Sequence, residues 1–131
     1  MNRLFFLSCF IFTIFIASCQ SISNDNSIKL SPEVFKDSLS NANIQLIDVR
    51  TLKEFRSGYI SNALNINYNS EKFTDSLELL DTKKPVYIYC RSGKRSARSI
   101  SIFKELGFNE IYELEGGIIN WRKAGLKVES N

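Results

Sequence analysis

Cys90-Arg91-Ser92-Gly93-Lys94-Arg95-Ser96 sets a thiol at the head of a short turn, and Arg91, Lys94, Arg95 and Arg98 surround it with positive charge that no acidic residue interrupts. Sulfur chemistry requires the thiolate, and a free cysteine with a pKa of ~8.5 is only about 3% ionised near neutral pH. Lowering that pKa by about two units corresponds to roughly 2.7 kcal/mol. A helix N-terminus contributes up to about 2 kcal/mol in a partly buried geometry, so cations and backbone N–H groups must supply the remainder. The chain contains no histidine. Imidazole cannot serve as the base, which excludes Ser-His-Asp and Cys-His catalysis and His-ligated zinc. The alternative is that Cys90 is a small buried apolar residue, as cysteines after a run such as Val86-Tyr87-Ile88-Tyr89 often are.

The position of the turn favours chemistry. It lies between an apolar strand and an amphipathic helix, where α/β sheets bind ligands and where the helix N-terminus and successive N–H groups can meet an anion. Gly93 permits the tight path. Strands are predicted over Gln45 to Val49, Pro85 to Tyr89 and Ile111 to Leu114, with shorter ones at Ile28 to Leu30 and Ala63 to Ile66. Ser31-Pro32-Glu33 opens a helix running to about Leu39, and Thr51 with Glu54 has the spacing of a capping box before a short helix closed by Gly58. Further helices are predicted from Glu71 to Leu80 behind a Ser70 cap, from Ser96 to Leu106 with Ala97, Ile100, Phe103 and Leu106 on one stripe, and from Ile118 to Lys123. The alternation predicts an α/β three-layer sandwich: a mainly parallel sheet of about five strands with helices on both faces.

Composition bounds the rest. The 131 residues are 44% hydrophobic and 24% charged with two prolines, which fits one globular domain and excludes disorder. A net charge of +3 without a polybasic arm argues against a nucleic-acid partner. Residues 1–18 read as a signal peptide: Asn2-Arg3 precede an apolar run from Leu4 to Ala17. That run is too short to span a ~30 Å hydrocarbon core comfortably. Ile16-Ala17-Ser18-Cys19 resembles the bacterial lipobox, which implies lipidation at Cys19, a membrane anchor and a cell-envelope location on the periplasmic side. Residues 19–27 form the lipidated cysteine and a polar tether, and 28–128 the domain. Once Cys9 leaves with the leader and Cys19 is acylated, Cys90 is the remaining thiol, so no intramolecular disulfide is expected.

Three separated motifs resemble the rhodanese family of single-domain sulfurtransferases. Leu46-Ile47-Asp48-Val49-Arg50, with Glu54-Phe55, Gly58-Tyr59-Ile60, Ala63 and Asn65-Ile66, is similar to the family's first motif. The Tyr89 to Ser96 segment is similar to its active-site loop, and Leu114-Glu115-Gly116-Gly117 with Trp121 to its C-terminal motif. The resemblance implies that Cys90 accepts a sulfur atom as a persulfide, with Arg91, Ser92, Gly93, Lys94, Arg95 and Ser96 binding the donor. Where Tyr59 stands the family often has histidine, a position read here as packing and turn structure. Asp48 and Arg50 are candidates to organise the scaffold, the alternative being a surface ion pair, and Gly116, Gly117 and Trp121 read as fold determinants.

Sulfur transfer competes with phosphate-ester hydrolysis, whose signature is C-x5-R. Here Arg95 follows Cys90 one position too early and Ser96 occupies the arginine's place. A small anionic donor such as thiosulfate and a thiol or cyanide acceptor fit a two-step exchange that needs no metal or organic cofactor. A noncatalytic anion- or partner-binding module and a thiol redox partner are the other readings; no resolving cysteine remains for the latter. The domain is expected to be a monomer. The relay requires a thiol that is ionised and open to solvent.

Overall fold

The computed structural model describes residues 27–130. The leader, Cys19 and most of the tether lie outside them. Five strands, β1 (Ser27–Leu30), β2 (Gln45–Asp48), β3 (Leu64–Asn65), β4 (Val86–Tyr89) and β5 (Ile111–Leu114), form one sheet in the order β1-β5-β4-β2-β3, with every pairing parallel. Parallel pairing puts the C-terminal ends of all five strands along one edge. Five helices connect them: α1 (Pro32–Ser38), α2 (Leu52–Arg56), α3 (Phe73–Leu77), α4 (Lys94–Glu105) and α5 (Gly117–Lys123).

The three-layer α/β sandwich follows from side-chain alternation. Ile47, Val86, Ile88 and Ile111 face one side and pack on Phe73 and Leu77 of α3 and Phe103 of α4. Leu46, Tyr87, Tyr89 and Leu114 face the other, against Phe35 of α1 and Ile118 and Trp121 of α5. β4 is buried along its whole length, as a central parallel strand covered on both faces must be. Its apolar run therefore carries the chain through the middle of the core and delivers Cys90 at the edge.

Local chemistry sets most helix starts. Ser31 Oγ accepts from Val34 N at 3.4 Å ahead of Pro32. The capping box of α2 is formed in both directions, with Glu54 N donating to Thr51 Oγ1 at 3.3 Å and Thr51 N to Glu54 Oε2 at 3.0 Å. Three expectations differ in detail. Ser70 accepts from Lys72 N at 3.2 Å and so closes a turn before α3, which has Lys72 as its uncapped N-cap. α4 starts at Lys94, two residues early, because Gly93 at φ 95° ends the loop there. Its inward face is Ser96, Ser99 and Phe103, while Ala97 is exposed. Ordered pairing runs from Ser27, which sits opposite Ile111, to Glu129, which bridges Tyr59.

Candidate active site

Cys90 leaves β4 into a loop that folds over its own sulfur. Gly93 N donates to Cys90 Sγ at 3.1 Å, and the Ser96 hydroxyl lies 3.6 Å from the same atom. Burial alone would raise the thiol's pKa; hydrogen bonds from Ser96, through backbone and hydroxyl, and from the Gly93 and Ser92 amides outweigh it, so the pKa falls below the ordinary value. The lowering predicted from sequence is present, and hydrogen-bond donors at the start of α4 contribute most to it, with Arg95 the cation coupled to the sulfur by charge.

The exposure of the thiol differs from the expectation. Cys90 is 1% exposed and belongs to the core cluster on the α3–α4 face. On its outer side the cover is the loop itself, where Arg91, Ser92 and Lys94 are exposed and Gly93 is half-buried. The sulfur is thus closed off from solvent rather than open, and a relay through it requires the covering loop to give way.

The loop residues take divergent roles. Arg91, Lys94 and Arg98 project into solvent. Arg95 does not remain available: its guanidinium grips Glu54 of α2 in a two-pronged pair at 2.7 Å and 2.7 Å, and that pairing lowers the Glu54 pKa to about 2. Ser96 is buried, and its hydroxyl donates to Glu113 Oε1 of β5 at 2.7 Å, with Gly93 O at 3.1 Å as a competing acceptor. Two acids from distant segments, Glu54 and Glu113, therefore hold Arg95 and Ser96 of the loop. The capping-box spacing marks Glu54 as a helix-start residue but not as the partner of Arg95, and the one signal for Glu113 is that it interrupts an otherwise apolar inward register with Ile111.

Two further supports fix the loop. The N-terminus of α5 donates to its carbonyls, Ile118 N to Cys90 O at 2.9 Å and Ile119 N to Arg91 O at 3.2 Å. Gly117 makes this approach possible: a Cβ there would lie 2.5 Å from Cys90 O and 2.6 Å from Arg91 O, at a φ of +62°. Asp48 and Arg50 form a buried pair at 2.6 Å rather than a surface one. Arg50 also donates to Gly58 O at 2.7 Å, and its guanidinium lies 5.7 Å from the centre of the Tyr89 ring. Burial would lower the Arg50 pKa, and Asp48 more than restores it. Tyr89 hydroxyl accepts from Ile60 N at 3.1 Å. Tyr59 stacks on Phe55 with ring centres 4.3 Å apart, and its backbone pairs with Glu129, so the position packs and turns the chain.

Known proteins resemble this chain in sequence and in fold. Residues 31–124 match the Rhodanese-like domain family. The uncharacterized protein YqhL of Bacillus subtilis (strain 168) is 42% identical over 77 residues, covering 59% of this chain and 60% of its own length. A tRNA uridine(34) hydroxylase of Legionella pneumophila (strain Corby) is 33% identical over 105 residues, covering 77% of this chain but 41% of its own length. This chain thus spans less than two thirds of either relative. A rhodanese-related protein from Thermoplasma volcanium superposes with a TM-score of 0.71 at 26% identity, over 79% of this chain and 99% of that one. A rhodanese-like domain protein from Staphylococcus aureus gives 0.66 at 30% identity, over 79% and 99%. With the family matched across most of its length and its sulfur-bearing loop formed between β4 and α4, the chain belongs to the rhodanese-like domain family.

Proposed function

We propose that this protein is a sulfurtransferase that moves a sulfane sulfur from a small anionic donor, such as thiosulfate, to a thiol or cyanide through a persulfide on Cys90. The observation that carries the reading is the set of backbone N–H groups of Ser92, Gly93 and Ser96 converging on one sulfur, with Gly93 N at 3.1 Å and the Ser96 hydroxyl 3.6 Å away. Such donors favour an anion, whether the resting thiolate or the terminal sulfur of a persulfide. In the first half-reaction the Cys90 thiolate attacks the outer sulfur of thiosulfate; the new S–S bond forms as the old one breaks, and sulfite departs with the bonding pair. In the second, a thiolate or cyanide takes the terminal sulfur and restores the Cys90 thiolate. Arg91 and Lys94 attract the donor. Arg95, held by Glu54, braces α4 against α2.

Phosphate-ester hydrolysis is less well supported by the same geometry. A phosphate dianion would meet the Glu113 carboxyl behind Ser96, at the position where a clamping arginine is needed. Hydroxylation of tRNA belongs to relatives of which this chain matches only part. Lipidation at Cys19 and a periplasmic, membrane-tethered location complete the proposal, since they would place the thiol among envelope sulfur donors.

Thiosulfate treatment followed by peptide mass mapping tests it. A gain of about 32 Da is expected on the Cys90 peptide, removable by cyanide and absent from Cys90→Ser. An unmodified Cys90 peptide in folded protein would leave a binding module as the better description.

A further inference from the structure

Ser96 has one hydroxyl proton and three neighbours able to accept it: Glu113 Oε1 at 2.7 Å, Gly93 O at 3.1 Å and Cys90 Sγ at 3.6 Å. The shortest contact is to Glu113, and Cys90, Ser96 and Glu113 are each at most 1% exposed. With Ser96 donating to the carboxylate, its lone pairs face the sulfur, so a Cys90 S–H donates to Ser96. This is a continuous thiol–hydroxyl–carboxylate wire in a chain without histidine.

We propose that Glu113 is a positioning residue and the proton acceptor for Cys90, acting through Ser96. The S–H bond of Cys90 breaks as its proton moves to Ser96 Oγ, and the original Ser96 proton moves to Glu113 Oε1. Sulfur becomes a thiolate, serine is regenerated and the carboxylate becomes a carboxylic acid. No charge is created: one negative charge passes from oxygen to sulfur. Direct ionisation to solvent would instead leave two anions bridged by a single hydroxyl in a buried site, which like-charge repulsion and desolvation oppose.

The groups facing Glu113 from its other neighbours suit a base. Lys29, its register partner on β1, and Lys104 of α4 line the same groove as Glu113. Both favour its ionised form while Cys90 is still a thiol. Once the protons have moved, protonated Glu113 donates to Ser96 Oγ, and the proton that Ser96 received from Cys90 is donated back to the thiolate as a hydrogen bond. Neither half-reaction of the proposed transfer consumes that proton, so Glu113 holds it throughout the cycle.

The assignment rests on Cys90 being a working thiolate, and its test uses no sulfur donor, so its failure is separable from failure of sulfur transfer. Difference infrared spectra are recorded near neutral pH on the full chain carrying C9S and C19S, before and after alkylation of Cys90 with iodoacetamide. Alkylation turns the sulfur into a neutral thioether, so Glu113 loses its proton and its carboxylic-acid carbonyl band disappears. E113Q lacks the band, and E113D retains one at a shifted position. The alkylation rate of the parent chain rises with pH in two steps, because the pair gives up its protons as a unit; E113Q shows one step. Loss of the band in the parent chain carries the assignment even where E113Q folds poorly. A thiolate without any protonated carboxyl signal, a signal indifferent to alkylation, or a thiol that stays protonated beside an ionised carboxyl would each overturn it.

Discussion

A thiol pKa can be lowered by nearby cations or by directed hydrogen bonds, and at Cys90 the hydrogen bonds contribute most. The sequence made the reactive residue legible because the thiol, Gly93 and the serines lie within one contiguous turn. It made the basic residues look equivalent, since only neighbours in the chain can be read. Arg95 meets Glu54 across 41 positions and Ser96 meets Glu113 across 17, and no local spacing encodes either. The Glu54 pair has a defined acid dependence. Its folded carboxyl pKa is lowered to about 2 by Arg95, so its stabilisation is present above the ordinary carboxylate range and is lost as pH falls toward about 2. Glu54→Gln removes the pair and one side of the capping box and is expected to cost about 1 kcal/mol, a value typical of partly exposed pairs and caps. Urea unfolding near pH 7 and again near pH 3 should show that cost shrinking as acid is added; a cost that grows would contradict the pairing.

At the scale of elements, the turn that carries the sulfur is held between two helix N-termini with different tasks. α4 supplies donors to the sulfur, and α5 supplies donors to the carbonyls of Cys90 and Arg91. The strand ends and the α2 capping box were readable because apolar runs and Ser/Thr-x-x-Glu spacing are local signals. The inward face of α4 was not: Ser96 and Ser99 are buried because their hydroxyls find acceptors, Glu113 and Ser96 O, and apolar periodicity cannot register a satisfied serine. Gly117 read as a fold determinant, and it is also the contact that lets α5 reach the turn. Gly117→Ala places a methyl group against the Cys90 and Arg91 backbone at a φ that alanine disfavours. Persulfide formation is expected to fall at least tenfold in a folded variant, equivalent to about 1.4 kcal/mol of lost transition-state stabilisation. Circular dichroism and thiosulfate labelling measured together would check it; full labelling at the wild-type rate would show the α5 contact to be dispensable.

Across the whole molecule, the parallel sheet brings β2, β4 and β5 to one edge, and with them the Asp48–Arg50 pair, the Cys90 turn and Gly116-Gly117. That is why three motifs far apart in the chain describe one place. Asp48→Asn strands the buried Arg50 guanidinium and is expected to destabilise the fold by about 3–5 kcal/mol, as breaking a buried pair does. Chemical denaturation measures this directly, and a loss below about 1 kcal/mol would mean the pair is solvated. The fold class was legible because strand and helix signals alternate. The burial of Cys90 was legible only as the alternative reading of the apolar run before it, because the contacts that hold the turn closed, those of α5 with the Cys90 and Arg91 carbonyls, span the chain.

The account's central claim is that this buried sulfur is ionised by directed donors and remains reachable through its own loop. Iodoacetamide labelling of native protein across pH, in the chain where C9S and C19S leave Cys90 as the remaining thiol, tests it most directly. Substantial labelling is predicted already near neutral pH, below the ordinary thiol value of about 8.5. Labelling that appears only above that value, or only after the protein is unfolded, would contradict it.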